Sequence, residues 1–392
     1  MQLPLIALFF AAFAVGTTEL IIAGLLPALA ADLAVDIPTA GLLISGYAAG
    51  VAVGGPFLSL ATGRIPRRPL LLGLMAVFIL GNVLCALADS YWLLMGARLV
   101  IAASHGLFFG LAMVIATGLV PKGREGTAVS LVVAGITFAN VVGAPVGTAI
   151  GNAWGWHASF WAIAAVGIGA TAMLAFFLPR TARNEAPPQS RLGDEIKAVL
   201  RPEVLTSYLM ITLSMTAFFA FFAYVVPILT TVTGIPTGDV PYLLFASGIG
   251  GVFGNLAGGR LGDWRPMPAL IGIFAIVLLL DLIFLVAMVD PVATAVTFFL
   301  MSLVGFSFAA PVQARILKGA ADAPNLASTL ISTAFNIGIA AGPWIGGMAL
   351  NAGWAYSELP WITVGFMVAT LAIAVLTFAA EQRRRVAPAG NA

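Results

Sequence analysis

Apolar runs long enough to cross a lipid bilayer recur twelve times along the 392 residues. As a helix, roughly 20 apolar residues span the hydrocarbon core of a membrane. Apolar residues make up 61% of the chain and charged residues only 9%, against ~25% in soluble domains. The sequence therefore predicts an all-α integral membrane protein with twelve transmembrane helices. The predicted spans cover residues 3–29, 39–61, 69–88, 91–118, 127–150, 158–179, 204–232, 240–261, 267–289, 292–314, 326–350 and 360–380.

The basic residues between the spans fall on one side of the membrane if successive spans alternate in direction. That side holds 17 of the 18 lysines and arginines: Arg64, Arg67, Arg68, Lys122, Arg124, Arg180, Arg183, Arg191, Lys197, Arg201, Arg260, Arg265, Arg315, Lys318, Arg383, Arg384 and Arg385. The opposite side carries only acids: Asp32, Asp36, Asp89, Asp239, Asp290 and Glu358. Because cytoplasmic loops are enriched in Lys and Arg, the pattern predicts that both termini are cytoplasmic.

The two halves of the chain share a sequence pattern. FANVVGAPVGTAIGNAWGW in span 5 resembles FNIGIAAGPWIGGMALNAGW in span 11, and Pro145 and Pro343 are 198 residues apart, as are Gly155 and Gly353. GRIPRR after span 2 is echoed by GRLGDWRP after span 8. Parallel six-helix repeats that face a central cavity are an established transporter architecture.

The only long polar segment divides these halves. Its proline and charge content are typical of a linker, and Leu192 to Leu200 is a candidate for a short amphipathic helix. The sequence therefore predicts an N-terminal six-helix bundle at 1–179, a cytoplasmic linker at 180–203, and a C-terminal bundle with a short tail at 204–392.

Three ionisable side chains within the spans form the candidate proton site. Glu19 interrupts span 1, and a carboxylate in a membrane span normally faces a cavity or a partner. Arg98 and His105 are seven residues apart in span 4 and so share one helix face. We expect a cluster in which Glu19 carries the proton, Arg98 modulates it, and His105 is an auxiliary titrating or substrate-binding group. The alternatives are packing roles for Glu19 and His105, and an Arg98 that extends towards its helix end.

Glycine and proline stripes occur at matching places in the two halves. Glycines four residues apart let helices approach closely, and a proline in the same stretch permits a kink. The stripes predict a moving, close-packed seam, with ordinary tight packing as the alternative. The candidate gating residues are Gly143, Pro145, Gly147 and Gly151 in span 5, and Gly342, Pro343, Gly346 and Gly347, with Gly338 nearby, in span 11.

Two other polar groups lie within apolar runs. For Asp281 in span 9 the favoured interpretation is a structural hydrogen bond, and for Cys85 a buried structural thiol. The sequence contains no HExxH, Walker, GxSxG or paired-cysteine metal motif. We therefore expect no enzymatic activity, no cofactor, no metal site and no nucleic-acid partner.

At these residues the chain resembles the major facilitator superfamily, over essentially its full length. It is most similar to the drug:proton antiporters of the arabinose-efflux and chloramphenicol-resistance branch. GTTELIIAGLLPALAADL resembles the first span of that branch, ARLVIAASHGLFFG its fourth, and VVGAPVGTAIG the antiporter motif of span 5. In the loop after span 2, SLATGRIPRR keeps the arginines of the family motif but has Gly63 in place of its acid.

The resemblance implies a proton-coupled efflux transporter in a bacterial inner membrane that works by alternating access as a monomer. Its cavity would be lined by spans 1, 4, 7 and 10, and its substrate would be a small neutral or weakly polar amphiphile. The rival interpretations are a proton-coupled nutrient importer and a non-transporting membrane receptor. Candidate substrate contacts are Tyr47, Asn140, Phe218, Phe222 and Phe306. Loop residues with an implied gating role are Arg64, Arg67, Arg68 and Asp263.

Overall fold

In a computed structural model, twelve long apolar helices account for most of the chain, and no β-strand occurs in the residues that the structure describes (2–62, 65–121, 124–179 and 192–386). We number them α1 Leu3–Asp32, α2 Ile37–Leu58, α3 Arg67–Ala86, α4 Tyr91–Gly118, α5 Gly126–Trp154, α6 Trp156–Phe177, α7 Pro202–Phe222, α8 Thr237–Trp264, α9 Pro266–Ala287, α10 Pro291–Gly319, α11 Leu326–Asn351 and α12 Tyr356–Arg383. The prediction of an all-helical protein with twelve spans is confirmed.

Two of these helices contain irregular turns, and a third irregular stretch follows α7. In α5 a π-helical turn at Ala139–Gly143 directly precedes Pro145, which has no backbone N–H to continue the α-helical ladder. In α10 a 3₁₀ turn covers Phe306–Phe308. The chain beyond α7 continues through Val225–Pro227 and a π turn at Ile228–Val232, so the predicted span 204–232 is one helix with an irregular end.

The twelve helices place their connecting segments at two opposite ends, which we call the basic end and the acidic end after the charges defined above. Acids at the acidic end act as helix caps. Asp36 accepts a hydrogen bond from the backbone N of Thr39 (2.7 Å) and Asp290 one from Ala293 (2.8 Å). These caps satisfy donors that the first turns of α2 and α10 leave open.

Large apolar side chains cover the outside of the bundle. Phe176 is 84% exposed, Trp92 79% and Val286 76%. Such a surface is unfavourable in water but is matched by lipid chains. Trp92, Trp154 and Trp264 lie near helix ends, where indole rings favour the membrane interface.

The glycine stripes pack helices within each half of the chain. A Cβ at Gly143, Gly147 or Gly151 of α5 would contact the α1 side chains Thr17, Ile21 and Leu25, respectively. A Cβ at Gly338, Gly342 or Gly346 of α11 would contact α7 or the residues just beyond it: Met215, Phe219 and Ala220, and Tyr224. The two halves therefore use the same packing at matching positions.

Both stripes end in the same backbone feature. Gly155 has a φ of +85° and Gly353 a φ of +94°, a conformation that side chains other than glycine rarely adopt. The spacing of 198 residues seen in the sequence thus corresponds to a repeated turn after α5 and after α11.

The two halves touch at and near the acidic end. The side chain of Asn152 donates to the carbonyl of Thr237 (3.4 Å), and α5 contacts α8 from its π turn onwards. Gly41 of α2 and Gly347 of α11 both approach the hydroxyl of Tyr224. Gly347 is the stripe residue at which an added Cβ would also contact Pro38 of the other half.

The segment between the halves contains a short helix, Leu192–Val199, as the amphipathic pattern predicted. Residues 180–191 lie outside the described part of the chain, so the division at 180–203 stays a prediction. Cys85 is a free, buried thiol, as expected.

We predict that Gly258→Ala destabilises the protein. A methyl group there would overlap the backbone carbonyl of Ser307 on α10, and overpacking of this kind costs about 1–3 kcal/mol. Thermal unfolding of the detergent-solubilised protein measures the loss. Gly259→Ala is the matched control, because a Cβ at Gly259 meets nothing within 4 Å. Equal melting temperatures for the two variants would contradict this close α8–α10 contact.

Candidate functional site

A cavity of about 190 Å³ lies between the two halves, at the middle of the helices. Its wall comes from α1, α5, α7, α8, α10 and α11. On the described residues, α4 contributes nothing to this wall, whereas α5, α8 and α11 do. The expected lining by spans 1, 4, 7 and 10 therefore holds for three of the four helices, because the buried polar side chains of α4, Arg98 and His105, contact α1 and α2 within the N-terminal half.

Aromatic rings dominate one side of this cavity. Phe218 stacks on Phe222 with ring centroids 5.0 Å apart, and its edge meets Phe306 at 5.3 Å. All three line the cavity, as does Asn140, which lies in the π turn of α5. The structure thus brings four of the five candidate substrate contacts together, and their role in binding stays a prediction.

Tyr47, the fifth candidate, lies behind the wall rather than on it. Its side chain is 1% exposed, and its hydroxyl is 2.8 Å from Nδ1 of His105. Its ring packs under the guanidinium of Arg98, with 4.5 Å from the carbon Cζ to the ring centroid. In this structure Tyr47 contacts His105 and Arg98 and does not line the cavity.

Several polar residues of the wall were not singled out from the sequence. Thr137 of α5 and Ser247 and Asn255 of α8 line the cavity. Ser247 also shares a hydrogen bond of 2.6 Å with Ser302 of α10. Asn255 interrupts an apolar run, and that signal alone could have marked it.

Glu19 lies on the wall of the same cavity as the aromatic rings. Its side chain is 18% exposed, and its Oε2 is 3.9 Å from Nε2 of His105. His105 is itself 7% exposed and makes an edge contact with Phe109, so the imidazole is held between Tyr47 and Glu19. Glu19 is therefore the member of the pair that reaches the cavity.

Arg98 is fully buried beside this pair. Its Nε donates to the carbonyl of Leu43 (3.0 Å) and its Nη1 to the carbonyl of Thr18 (3.2 Å), while Nη2 has no hydrogen-bond partner in the described chain. The side chain does not extend towards the helix end, so that alternative is wrong. The guanidinium lies against the backbone next to Glu19, whereas the carboxylate of Glu19 pairs with His105.

The backbone at Glu19 is anchored on its other side by α3. The hydroxyl of Thr18 donates to Oδ1 of Asn82 (2.6 Å), and Nδ2 of Asn82 donates to the carbonyl of Phe78 (2.8 Å). Asn82 is fully buried and was not singled out from the sequence. Its bond fixes the turn of α1 from which Glu19 projects.

The candidate gating residues lie away from the cavity. Arg68 donates from Nη2 to the carbonyl of Ala175 near the end of α6 (2.6 Å), Arg67 begins α3, and Asp263 is exposed near the end of α8. Arg64 lies outside the described residues.

The carbonyl of Pro343 accepts a hydrogen bond from the hydroxyl of Tyr224 (2.7 Å). The glycine stripes of α5 and α11 pack mainly within their own halves. Among the stripe glycines, only Gly347 lies where an added Cβ would contact the other half, so only Gly347 supports the predicted seam between the halves.

Twelve apolar helices around a central cavity, with a carboxylate on its wall, define a multi-pass membrane transporter. The sequence model of the Major Facilitator Superfamily matches residues 8–323. The chain is 36% identical to the inner membrane transport protein YdhP of Escherichia coli K12, over 97% of this chain and 96% of that protein. It is 33% identical to the chloramphenicol resistance protein of Streptomyces lividans, over 97% and 98% of the two chains. The chain belongs to the Major Facilitator Superfamily.

A solved structure has the same fold. The bacterial homologue of the human lysosomal transporter Spinster, in an inward-facing and unoccupied conformation, matches with a TM-score of 0.66 and 15% identity, over 95% of this chain and 94% of that one. The family and the relatives similar over nearly the whole chain make the protein a non-enzymatic transporter that acts on small molecules in the lipid bilayer of an inner membrane.

Proposed function

We propose that this transporter is a proton-coupled antiporter that exports a small neutral or weakly polar amphiphile. The observation that carries the proposal is the position of Glu19, which lines the cavity and whose Oε2 lies 3.9 Å from Nε2 of His105. The same cavity has an aromatic side formed by Phe218, Phe222 and Phe306. Substrate and proton therefore bind to adjacent parts of one wall.

Exchange follows from the hydrogen-bonding chemistry of a carboxylate. Ionised Glu19 accepts hydrogen bonds from a hydroxyl or amide group of the substrate, and protonation removes part of that capacity. Substrate binding and proton binding then oppose each other at Glu19. An uncompensated ion within the membrane is costly. The cavity therefore changes its access from one side of the membrane to the other only when Glu19 holds either a proton or a hydrogen-bonded substrate.

Arg98 and His105 have supporting roles in this proposal. Arg98 places a positive charge beside the backbone of Glu19, where it attracts the carboxylate. His105 holds Glu19 against the wall and is itself positioned by Tyr47. The two halves rock about the cavity, and the contacts at the acidic end, such as Asn152 with Thr237, open when the cavity faces outwards.

The orientation and the substrate class are part of the proposal. We assign both termini to the cytoplasm because the alternation of the spans along the sequence puts 17 of the 18 basic residues on one side. The likeness to a chloramphenicol resistance protein, together with the aromatic wall, makes chloramphenicol the first probe. A single chain encloses the whole cavity, so we propose that the monomer transports.

Inside-out membrane vesicles from an overexpressing strain test the proposal. We expect a proton gradient that is acidic inside the vesicles to drive uptake of chloramphenicol, or of another amphiphile found in a susceptibility and export screen. Collapse of the gradient with a protonophore is expected to abolish this uptake. Proton-driven uptake into right-side-out vesicles instead would establish an importer, and binding without flux in either would establish a receptor.

A further inference from the structure

A second cavity lies within the C-terminal half, apart from the central one. It measures about 30 Å³ and is enclosed by α7, α9, α10 and α12. Asp281 of α9 lies on its wall and is 1% exposed. The helix that carries it is the most apolar of the twelve, with a mean hydropathy of 3.0. Nothing in the proton site around Glu19 accounts for a carboxyl group here.

The carboxyl group of Asp281 has no hydrogen-bond partner in the described chain. Neither Oδ1 nor Oδ2 receives a hydrogen bond, so the expected structural hydrogen bond is absent from the protein interior described here. The hydroxyl of Ser214, on the same wall, is buried and also without a partner. Buried polar groups are nearly always paired, so two unpaired groups on one cavity require a ligand between them.

No cationic side chain compensates an ionised Asp281. The cavity wall contains no Lys, Arg or His. The basic residues of the helices that pack around it lie at the basic end, where Arg315 of α10 pairs with Glu381 of α12 and Arg201 pairs with Asp322. A buried carboxylate without such a partner is strongly disfavoured, whereas the protonated acid is neutral and gains an O–H donor.

The wall also fits a proton better than a metal ion. Its oxygen atoms come from Asp281, Ser214 and Thr363, and the hydroxyl of Thr363 already donates to the carbonyl of Ala217. The remaining wall is phenylalanine, methionine, valine and glycine. Hard cations need about six or more oxygen ligands, which this wall does not supply. A water molecule needs only ~10–15 Å³ and two to four polar partners, which it does supply.

The partition between the two cavities is thin. Met215, Phe218 and Phe306 line both of them. Phe306 begins the 3₁₀ turn of α10, directly after Gly305, which lines the Asp281 cavity. Short 3₁₀ segments inside longer helices often mark hinges. Phe218 and Phe306 therefore separate the two cavities at a position where α10 departs from α-helical geometry.

We propose that Asp281 is a second proton-binding site, which holds its proton with Ser214 and water and exchanges it with the central cavity through the Phe218–Phe306 partition. This site would add to the proposed proton coupling. Its part in transport rests on that proposed function, whereas proton binding at Asp281 does not. The exchange is a simple transfer: a hydronium ion in the central cavity gives its proton to Oδ of ionised Asp281 and becomes water, and the reverse step returns the proton to water as hydronium.

The carboxyl group itself reports on this proposal through infrared spectroscopy of the purified full-length protein at neutral pH. We expect an absorption of protonated carboxylic acid that is lost in Asp281→Asn. It should persist in Glu19→Gln and in Asp290→Asn, which removes an acid outside the membrane and keeps a capping side chain. In deuterated buffer, Phe306→Ala should exchange the proton at least about tenfold faster than the unmodified protein, because the partition is open.

Isotope labelling provides the readout that needs no substitution. The other eight aspartates lie at or beyond the ends of the membrane helices, so ¹³C-aspartate should shift the band of an interior acid in the unmodified protein. An absorption that neither ¹³C-aspartate nor Asp281→Asn changes would overturn the proposal. Equal exchange rates with and without Phe306 would overturn the route through the partition. If Glu19→Gln loses coupled transport while the absorption of protonated Asp281 remains, then Asp281 binds its proton independently of Glu19.

Discussion

Glu19→Gln is expected to abolish gradient-driven export while substrate exchange across the membrane continues. Glutamine keeps the size of the side chain and an amide oxygen that accepts a hydrogen bond from the substrate, but it does not titrate, so substrate binds without competition from a proton. The cavity can still alternate with substrate bound, but the proton gradient has no group on which to act. In liposomes, accumulation driven by a pH gradient should fall to the level of empty vesicles, whereas counterflow of labelled substrate should remain.

The same substitution should not weaken the fold. An ion within a membrane span costs a few kcal/mol even on lenient insertion scales, so a neutral residue at position 19 inserts at least as well. Glu358→Gln is the matched control, because Glu358 is exposed at the acidic end and accepts a hydrogen bond from the backbone of Ala355. Accumulation against a gradient by Glu19→Gln would place the proton carrier elsewhere, with His105 as the next residue to replace.

Arg98→Met should reduce transport to background and also lower stability. Methionine fills much of the space but removes the donors to the carbonyls of Leu43 and Thr18 and the contact with the ring of Tyr47. Each hydrogen bond from a charged group is worth about 1.5–3 kcal/mol, and both carbonyls would be left buried. Flux in liposomes and the melting temperature in detergent together measure the two effects.

Arg98→Lys separates charge from geometry. Lysine keeps the positive charge but not the planar fork that reaches two carbonyls at once. We expect Arg98→Lys to keep part of the thermal stability of the unmodified protein but to couple proton and substrate movement poorly. Arg201→Met serves as the control, because Arg201 is 44% exposed and its partner Asp322 lies at the basic end. Wild-type coupling in Arg98→Met would contradict a role for this arginine at Glu19.

The sequence predicted the helices and their repetition well. Hydrophobic length and helix periodicity are local properties, so twelve spans and the ends of most helices follow directly from composition along the chain. The repeated Gly-Trp pair after α5 and α11 was equally informative. Gly155 and Gly353 adopt positive φ because the chain must turn sharply at each of these places.

The partners of the buried charged groups could not be predicted, because they depend on how helices rotate and tilt. Seven-residue spacing placed Arg98 and His105 on one face, but only packing showed that Arg98 bonds to backbone carbonyls and that Tyr47 holds His105. Helix rotation and tilt also decide that α8 lines the cavity and that Asp281 has no hydrogen-bond partner in the described chain, so neither could be predicted.

The direction of proton movement during substrate efflux tests the central claim most directly. Liposomes are loaded with chloramphenicol, or with the amphiphile identified by the export screen, and with a pH-sensitive dye, and no pH gradient is imposed. As substrate leaves through the transporter, antiport predicts that protons enter and the lumen acidifies, and that Glu19→Gln eliminates this signal. An alkaline shift, or substrate efflux at constant lumenal pH, would contradict proton antiport.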